Sequence, residues 1–378
     1  MKRRPARILV DVFYLHLAQT GIKTYIDSLL AQVAAYEGTE FQFVVYPSPQ
    51  KIRKSTFFKG KTPRWKNWLF QGWYFLHKMW LLPLKSIRCG SDLVFCPDIL
   101  PPLWSVGKRV VVIHDAFFWE SPEHYHPLWR KIYLGYLAVG IWSGARILTV
   151  SEYAKNRIQI FLKTSHPITA IPTGMDALSG RQESTAEFSP VAYPYFLHVG
   201  VMEHRKNLVT LVQAFSVFVE NYGEKFRLVL VGERGPRPTL DAYDDVVREI
   251  TRLGLEEQVI LPGYLHKEEL NKYFRFALGY VFPSKNEGFG LPVLEAFSFD
   301  VPVIVGPQGA LKEVGGDGVL CCDSYAPEAF AAAMGRLASE PDLRLSLVSA
   351  GRNRLRAYSG EKFFLSLQSY FNRLLHGD

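Results

Sequence analysis

The sequence predicts an α/β protein in which two doubly wound parallel sheets occupy the two halves of the chain. Ten short runs of apolar, β-branched residues alternate with segments of helical periodicity, a pattern typical of parallel strands that are buried on both faces. The chain has 378 residues, 48% of them hydrophobic and 21% charged, which is enough for two cores. A polar stretch of small residues, SGRQESTAEFSP, lies near the middle of the chain.

Five of the predicted strands precede the polar stretch and five follow it. The first five lie at residues 7–12, 43–46, 93–96, 109–113 and 146–150. The second five lie at residues 196–199, 228–231, 259–261, 279–282 and 302–305. We therefore predict an N-terminal Rossmann-like domain over residues 1–177, a linker over 178–191 and a C-terminal Rossmann-like domain over 192–359.

A last helix is predicted over residues 360–378. Its apolar residues recur at i, i+3, i+7 and i+10, so they share one helix face: Phe364, Leu367, Phe371 and Leu374. Such a face needs an apolar surface to cover, and we expect the helix to pack back on the N-terminal domain.

Cysteine usage and the N-terminus favour a cytoplasmic protein. The four cysteines, Cys89, Cys96, Cys321 and Cys322, have no metal-ligand spacing, and the vicinal pair is expected to be buried packing at a strand end. The basic start MKRR runs directly into a strand pattern, which is unlike a signal peptide. The most apolar stretches, residues 132–142 and 68–84, are too short or too interrupted for a transmembrane helix.

The segment from residue 51 to residue 91 is basic and aromatic. No Asp or Glu occurs between Phe41 and Ser91, whereas ten Lys and Arg residues do. Cations interleaved with aromatic rings are typical of proteins on anionic lipid headgroups, so we expect peripheral contact with the inner face of the plasma membrane. A solvated basic loop followed by a core helix is the alternative. Nucleic acid is not expected, because no nucleic-acid-binding motif accompanies the charges.

The stretch VFPSKNEGFGLPVLEAF contains two carboxylates on either side of a glycine turn. The first residues end a predicted strand, and Pro292 suits the first turn of the following helix. Because parallel strands bind ligands at their carboxyl ends, we expect this turn to border a crevice between the two domains. Free N–H groups at Gly290 and Leu291 would bind a phosphate. Glu287 would lie beside the group attached to it, and Glu295 would accept hydrogen bonds from a diol such as ribose.

EGFGLPVLEA resembles the signature of glycosyltransferase family 4, whose members are retaining, sugar-nucleotide-dependent enzymes of the GT-B fold. Seven further stretches match the family pattern in order along nearly the whole chain. The matching stretches are TGIKTYIDSLL (20–30), VVVIHDAFF (110–118), TVSEYAKNRI (149–158), IPTGMD (171–176), LHVGVMEHRKNL (197–208), LVLVGERGPR (228–237) and LPGYLHKEEL (261–270). The chain departs from the pattern at Thr173, where Asn is usual, and at Val201, where many relatives have Arg.

The resemblance implies a site built from both domains. Catalytic roles fall to His114, Arg205, Lys206 and Glu287, where Arg205 and Lys206 stabilise the departing phosphates without a metal ion. Glu287 binds sugar hydroxyls and opposes the positive charge that develops on the sugar ring. The remaining donor-binding positions are Gly21, Gly200, Gly263, Tyr264, Leu265, Gly288, Phe289, Gly290, Leu291 and Glu295. No cofactor is expected, and Glu287 and Glu295 are not a glycosidase pair.

The implied reaction is the transfer of a hexosyl residue from a nucleotide-diphosphate sugar to a glycan or lipid-linked acceptor. The RKN variant of the second-domain motif resembles mannosyltransferases of surface polysaccharide assembly, which favours mannose from GDP-mannose. Glucosyl, rhamnosyl or N-acetylhexosaminyl transfer from UDP-, GDP- or dTDP-sugars stays an alternative. A dehydrogenase is excluded because no G-x-G-x-x-G follows the first strand. A non-catalytic binder of nucleotide sugars would be expected to have lost one of the site residues, and none is missing.

Overall fold

A computed structural model gives the fold. It describes residues 4–17, 21–54, 64–164, 166–175, 188–235 and 238–377. The chain divides into two units, and each has a sheet and a core of its own. The first unit comprises Met1–Met175 together with Tyr358–Asp378, and the second comprises Asp176–Ala357. Most of the predicted linker, residues 178–187, lies outside the described residues.

Twelve strands form two sheets within the described part of the chain. Those of the first unit are β1 (Ala6–Asp11), β2 (Phe41–Tyr46), β3 (Leu93–Cys96), β4 (Lys108–Val112), β5 (Arg146–Thr149) and β6 (Ile168–Ala170). Those of the second unit are β7 (Tyr195–Val199), β8 (Arg227–Val231), β9 (Val259–Gly263), β10 (Gly279–Phe282), β11 (Val303–Val305) and β12 (Val319–Cys321).

Helices connect the strands throughout. Before the last strand of the first unit they are α1 (Gly21–Ala35), α2 (Pro49–Lys54), α3 (Arg64–Leu76), α4 (Leu82–Cys89), α5 (Phe117–Glu120), α6 (Pro127–Trp142) and α7 (Glu152–Phe161). From the second unit to the end of the chain they are α8 (Leu208–Tyr222), α9 (Tyr243–Arg252), α10 (Lys267–Arg275), α11 (Leu291–Ser298), α12 (Gly309–Gly315), α13 (Pro327–Ser339), α14 (Pro341–Ala357) and α15 (Gly360–His376).

Both sheets are parallel and doubly wound. The first has the order β2-β1-β3-β4-β5-β6 and the second has the order β12-β11-β10-β7-β8-β9. Each therefore contains a switch point, where the chain leaves one side of a central strand and returns on the other: β1 and β3 flank it in the first sheet, and β7 and β10 flank it in the second. Ligands bind parallel α/β sheets at the carboxyl ends of such strands. The predicted α/β fold class is confirmed for each unit.

The ten predicted strands are all present, with bounds that differ by at most two residues. The two strands that the sequence did not predict, β6 and β12, have three residues each and lie at the edge of a sheet. The central strands are almost wholly buried because helices cover both faces of the sheet, which explains their continuous apolar runs.

The last helix packs on the first unit through aromatic side chains. The Phe364 ring lies 5.5 Å from the Phe43 ring, and the Phe371 ring lies 5.3 Å from the Phe95 ring. Phe363 on the same face contacts Tyr25 of α1 at 5.0 Å between ring centroids. The apolar face of α15 is thus buried against residues of the first sheet and of α1.

One long helix of the first unit is rotated so that charged residues face inward. α3 continues through a π-helical turn, His77–Leu81, into α4 without a break. His77 and Lys78 are fully buried, whereas the next residue but one, Trp80, is 52% exposed. No helix among the described residues combines the length and apolar character needed to cross a bilayer.

Candidate active site

The site of the second unit lies where the sheet reverses its strand order. β7 and β10 are adjacent, with Gly279 opposite Phe196 and Tyr280 opposite Leu197. The loop after β7 carries the 3₁₀ turn His204–Lys206, and the loop after β10 carries Glu287. Residues that are about 80 positions apart in sequence therefore meet at one sheet edge.

The Glu287 carboxylate is held by three donors. Its Oε1 atom accepts hydrogen bonds from Lys206 Nζ at 2.6 Å, from Arg205 Nη1 at 2.8 Å and from Ser284 Oγ at 2.8 Å. Charge-assisted bonds of this kind are roughly twice as strong as neutral ones. The structure thus brings together three of the four predicted catalytic residues and adds Ser284, whose small hydroxyl gave no signal in the sequence.

The ionisation of Glu287 follows from its neighbours. Burial alone would raise the pKa of this carboxyl group, but the positive charges of Arg205 and Lys206 outweigh burial and lower the pKa to about 2. Glu287 is therefore ionised at neutral pH. A carboxylate in this state can accept hydrogen bonds from hydroxyl groups and can oppose positive charge, but it cannot donate a proton.

Hydrogen bonds to backbone carbonyl groups hold the loop after β7 against the loop after β10. The Lys285 amide donates to the Arg205 carbonyl at 2.8 Å, and Arg205 Nη1 donates to the Asn286 carbonyl at 3.2 Å. Gln308 Nε2 donates to the Glu287 carbonyl at 2.8 Å. Gln308, which the sequence did not indicate, also caps α12 through its side-chain oxygen. The carboxylate and its cations are consequently held in one arrangement, as electrostatic catalysis requires.

Lys206 is the more buried of the two cations. Burial and the nearby Arg205 lower its pKa, while Glu287 acts in the opposite direction. Its Nζ atom lies 4.6 Å from the centre of the Phe282 ring, a distance at which an ammonium group is attracted to the ring face. Arg205 is also held by Glu203, whose Oε2 atom accepts from Arg205 Nε at 2.6 Å.

Glu295 lies one turn into α11, near the same cluster. Burial raises its pKa, and the charge of Lys206 lowers it by a smaller amount. Its charge in turn contributes to the raised pKa of Tyr280, a β10 residue whose hydroxyl donates to the Val199 carbonyl. The structure therefore places Glu295 within electrostatic reach of Lys206.

The glycine turn before α11 has the backbone that only glycine adopts readily. Gly290 has φ 105°, and a Cβ atom there would lie 2.6 Å from Leu311 Cδ2. Gly288 and Phe289 precede it in the same turn, and Leu291 is the first residue of α11. The predicted anion site at Gly290 and Leu291 thus coincides with the start of a helix, and anion binding there stays a prediction.

Three further glycines lie on the loops beside the Glu287 cluster. Gly200 follows β7, and Gly232 follows β8, where a Cβ atom would lie 1.9 Å from the Gly200 carbonyl oxygen. Gly263 ends β9, and its carbonyl accepts from the Gly232 amide at 3.0 Å. Gly232 is thus required by the close approach of two loops. The signal for it was present in the sequence motif VGERG but was not assigned to the site.

The predicted donor-binding residues Tyr264 and Leu265 follow β9. Tyr264 is 65% exposed, and its ring meets the His266 ring edge-on at 5.4 Å. Leu265 is half-buried. Because β9 lies two strands from β7 in the sheet, this segment belongs to the same edge as the Glu287 cluster.

His198 lies beneath the cluster and was not predicted to have a role. It is fully buried in β7, and its Nδ1–H donates to the Val281 carbonyl at 2.9 Å. Burial lowers its pKa to about 4, so the imidazole is neutral. Its ring stacks on the Tyr280 ring at 6.0 Å, which supports the floor of the site.

His114 and Gly21 are the predicted site residues that belong to the first unit. His114 follows β4, and its Nε2–H donates to the Pro97 carbonyl at 3.0 Å. Burial lowers its pKa to about 4, which leaves Nδ1 as a hydrogen-bond acceptor at neutral pH. Gly21 begins α1, and Tyr25 of that helix contacts the His114 ring at 5.0 Å. The two predicted positions of the first unit are therefore joined through α1.

The switch point of the first sheet is filled by buried acidic and basic side chains. Lys78 Nζ lies 2.7 Å from Asp11 Oδ2 and 2.6 Å from Asp98 Oδ1, at the ends of β1 and β3. His77 Nε2 lies 2.9 Å from Asp11 Oδ1, and the Tyr74 hydroxyl donates to Asp98 at 2.8 Å. The two carboxyl groups and the ammonium group are all buried. Opposite charges at these distances offset part of the free energy that burying each group costs.

Asp11, Cys96 and Asp98 are the one group among the described residues that has the geometry of a metal site. Burial opposes the charge of Lys78, yet the two carboxylates keep its pKa well above the usual value. A charged ammonium group thus lies between the carboxylates that would ligate a cation. These residues do not fit a metal centre.

The structure corrects one part of the predicted membrane segment. Lys78 was counted among its free positive charges, but it is buried and paired with Asp11 and Asp98, so it cannot contact headgroups. Arg53 is paired with Asp27 at 2.6 Å, an acid from outside the segment. Residues 55–63, which include Lys59 and Lys61, lie outside the described residues.

Comparison with protein families gives one match, to the model described as Glycosyl transferases group 1, over residues 181–354. Among curated proteins, the O-antigen chain mannosyltransferase B of Escherichia coli is 32% identical over 67% of this chain and 67% of its own length. A D-inositol 3-phosphate glycosyltransferase of Xylanimonas cellulosilytica is 27% identical over 58% of this chain, which spans about half (54%) of that relative.

Among solved structures, the sucrose-phosphate synthase of Thermosynechococcus elongatus is similar over 100% of both chains, with a TM-score of 0.71 and 18% identity. At this identity the likeness concerns the fold. It agrees with the GT-B fold that the sequence motifs implied.

Proposed function

Because the chain belongs to the glycosyl transferases group 1 family, we propose that it transfers a mannosyl residue from GDP-mannose to a glycan or lipid-linked acceptor during surface polysaccharide assembly. Glycosyl transfer itself follows from the family. The observation that supports a diphosphate-containing donor is the ion cluster of Glu287, Arg205 and Lys206 at the switch point of the second sheet. The mannosyltransferase relative favours mannose as the transferred sugar.

The proposed donor site places the diphosphate against fixed positive charge. Breaking the bond between the anomeric carbon and the diphosphate leaves negative charge on the leaving phosphate. Arg205 and Lys206, together with the N–H groups at Gly290 and Leu291, would stabilise that charge. A diphosphate competes with Glu287 for the two cations, which releases the carboxylate to accept hydrogen bonds from the sugar.

We assign the two glutamates to different parts of the donor. Glu295 would bind the ribose diol, because it lies one turn into α11, the helix whose first N–H groups we assign to the phosphate. Glu287 would bind the sugar ring and oppose the positive charge that develops there, because it is ionised at neutral pH. His114 would accept a hydrogen bond at Nδ1 from a hydroxyl group of the sugar or acceptor.

We propose that the reaction retains the configuration at the anomeric carbon and needs no metal ion. The chain's own cations supply the charge that a metal would supply, and the leaving phosphate can accept the proton of the acceptor hydroxyl on the same face. The anomeric configuration of the product, read by NMR, tests retention. An inverted product would contradict it.

Glucosyl, rhamnosyl or N-acetylhexosaminyl transfer is the second candidate. Relatives and neighbours of this chain include proteins named for inositol phosphate and sucrose phosphate, so the fold and family admit several sugars and acceptors. Thermal shift with GDP-mannose, UDP-glucose, UDP-N-acetylglucosamine and dTDP-rhamnose tests the choice. We expect the largest rise in melting temperature with GDP-mannose. An equal or larger rise with a UDP- or dTDP-sugar would replace mannose by that sugar.

We further propose a peripheral location on the inner face of the plasma membrane. Lys51, Lys54 and Arg88 are exposed in the predicted membrane segment, and no acidic residue occurs in it. A lipid-linked acceptor would then be held at the same surface as the enzyme. Sedimentation with anionic vesicles tests the location.

A further inference from the structure

The helix formed by α3, the π turn and α4 exposes an apolar face. Seven of its large apolar residues are each between 44% and 58% exposed: Trp65, Trp68, Leu69, Leu76, Trp80, Leu84 and Ile87. Isolated exposed apolar residues are common on folded proteins, but a large contiguous patch of them usually marks a binding surface.

A second helix extends this face. The rings of Trp68 on α3 and Trp129 on α6 lie 5.0 Å apart, so the two helices are neighbours. Five of the eight exposed residues of α6 recur at i, i+4, i+7, i+11 and i+14, which is one face of a helix: Leu128, Ile132, Gly135, Val139 and Trp142. Trp142 is 88% exposed. We call the exposed apolar residues of both helices the tryptophan face.

The buried ion cluster holds the tryptophan face outward. A helix in water would turn His77 and Lys78 toward solvent and Trp80 toward the core. Here the ion pairs with Asp11 and Asp98 fix the opposite rotation. Burying charged groups costs free energy unless they are paired. The chain therefore desolvates these paired groups and leaves the apolar side of the helix exposed. Such a rotation is expected where the helix meets a medium that is less polar than water.

The charge around the tryptophan face indicates which medium it meets. Neither the segment between Phe41 and Ser91 nor α6 contains an acidic residue. Arg88 follows Ile87 and is exposed, and Lys131 is exposed beside Ile132. Lysine is depleted at protein interfaces, whereas tryptophan with lysine and arginine is typical of the interface between lipid headgroups and acyl chains.

We propose that the tryptophan face inserts into the headgroup region of an anionic membrane, and that it, rather than the basic residues near position 51, provides most of the binding. This inference rests on the membrane contact suggested under the proposed function and gives that contact a specific surface. The basic side chains near the face would add attraction to anionic lipid.

The test is binding of the full chain to vesicles of phosphatidylcholine with and without phosphatidylglycerol. We expect Trp80→Ser with Trp142→Ser to weaken binding to anionic vesicles by about tenfold or more. The matched control is Phe188→Ser with Leu345→Ser, two exposed apolar residues of the second unit (81% and 69% exposed). The control should bind as the wild type does. Lys51→Ser with Lys54→Ser should weaken binding by about threefold or less.

Several outcomes would overturn the proposal. Wild-type protein that does not bind anionic vesicles at low salt would remove it, as would equal loss of binding in the tryptophan variant and its control. Loss of binding only in the lysine variant would assign binding to the basic stretch. A dimer in sedimentation velocity that the tryptophan variant abolishes would make a second copy the occupant.

A second measurement separates this inference from the proposed activity. Bromine-labelled lipids quench tryptophan fluorescence only by contact, so we expect strong quenching in the wild type and weak quenching in the tryptophan variant. Nucleotide-sugar binding should be unchanged in both. Vesicle binding without any response to a sugar nucleotide would leave the membrane surface in place and would contradict the donor assignment instead.

Discussion

At the level of single residues, Glu287 and Glu295 differ in the direction of their pKa shifts and in their neighbours. Glu287 is ionised and held by Arg205 and Lys206, whereas burial raises the pKa of Glu295. The sequence predicted both residues, because two acids around a glycine turn form a recognisable pattern. It could not predict Ser284 or Gln308, which hold the loop by hydrogen bonds between distant parts of the chain.

The two glutamates should have separable kinetic effects. We expect Glu287→Gln to lower kcat by about 100-fold, because the carboxylate acts on charge that develops in the transition state. Glu295→Gln should raise KM for the sugar nucleotide by about tenfold with a smaller change in kcat. A contact to the ribose stabilises the bound substrate and the transition state equally. Steady-state kinetics of both variants measure this. Small and equal effects would contradict the assignment.

Glu287 should also make folding stability depend on pH. The pKa of Glu287 is about 2 in the folded chain and 4.5 in the unfolded chain. Ionised Glu287 therefore stabilises the folded state fully above about pH 4.5, and this contribution is lost as the pH falls toward 2. The shift corresponds to about 3 kcal/mol. Urea unfolding of the second unit should show a gap between wild type and Glu287→Gln that is largest near pH 6 and narrows below pH 4. A gap that does not vary with pH would refute the linkage.

At the level of elements, the central strands were predictable and the edges were not. Strands such as β3 and β10 are buried on both faces and form continuous apolar runs. β6 and β12 have three residues each, too few to establish a period. The rotation of the long helix was also not predictable, because the partners of Lys78 lie at positions 11 and 98, far from it in sequence.

Lys78 should matter for stability although it lies on a basic helix. Lys78→Met removes the buried ammonium group that pairs with both Asp11 and Asp98, and we expect a loss of about 3 kcal/mol or more in the stability of the first unit. Arg88→Met, an exposed position of the same helix, should change stability by about 0.5 kcal/mol or less. Chemical denaturation and hydrogen exchange of the α3 and α4 amides measure both. Equal effects would mean that the ion cluster does not hold the helix.

At the level of the whole molecule, the order of motifs along the chain predicted the family and the fold of each unit. The site residues of the second unit were predicted with the loops that carry them, because parallel strands place their carboxyl ends at one edge. The sugar and the acceptor were predicted only from a resemblance to mannosyltransferases, and they stay predictions. We expect their recognition to depend on backbone groups and loop shape, which leave little trace in residue types. The exposed face of α6 was missed because its apolar residues also suit a buried helix.

The central claim is that fixed cations, and no metal ion, hold the donor diphosphate. Calorimetric titration with the sugar nucleotide that gives the largest thermal shift tests it most directly, with EDTA present throughout. We predict that the wild type binds under these conditions and that Arg205→Ala weakens binding by about tenfold or more. Arg252→Ala, which removes an exposed cation of α9, should leave binding unchanged. Binding that EDTA abolishes and Mg²⁺ restores, or equal affinities of the two arginine variants, would contradict the account.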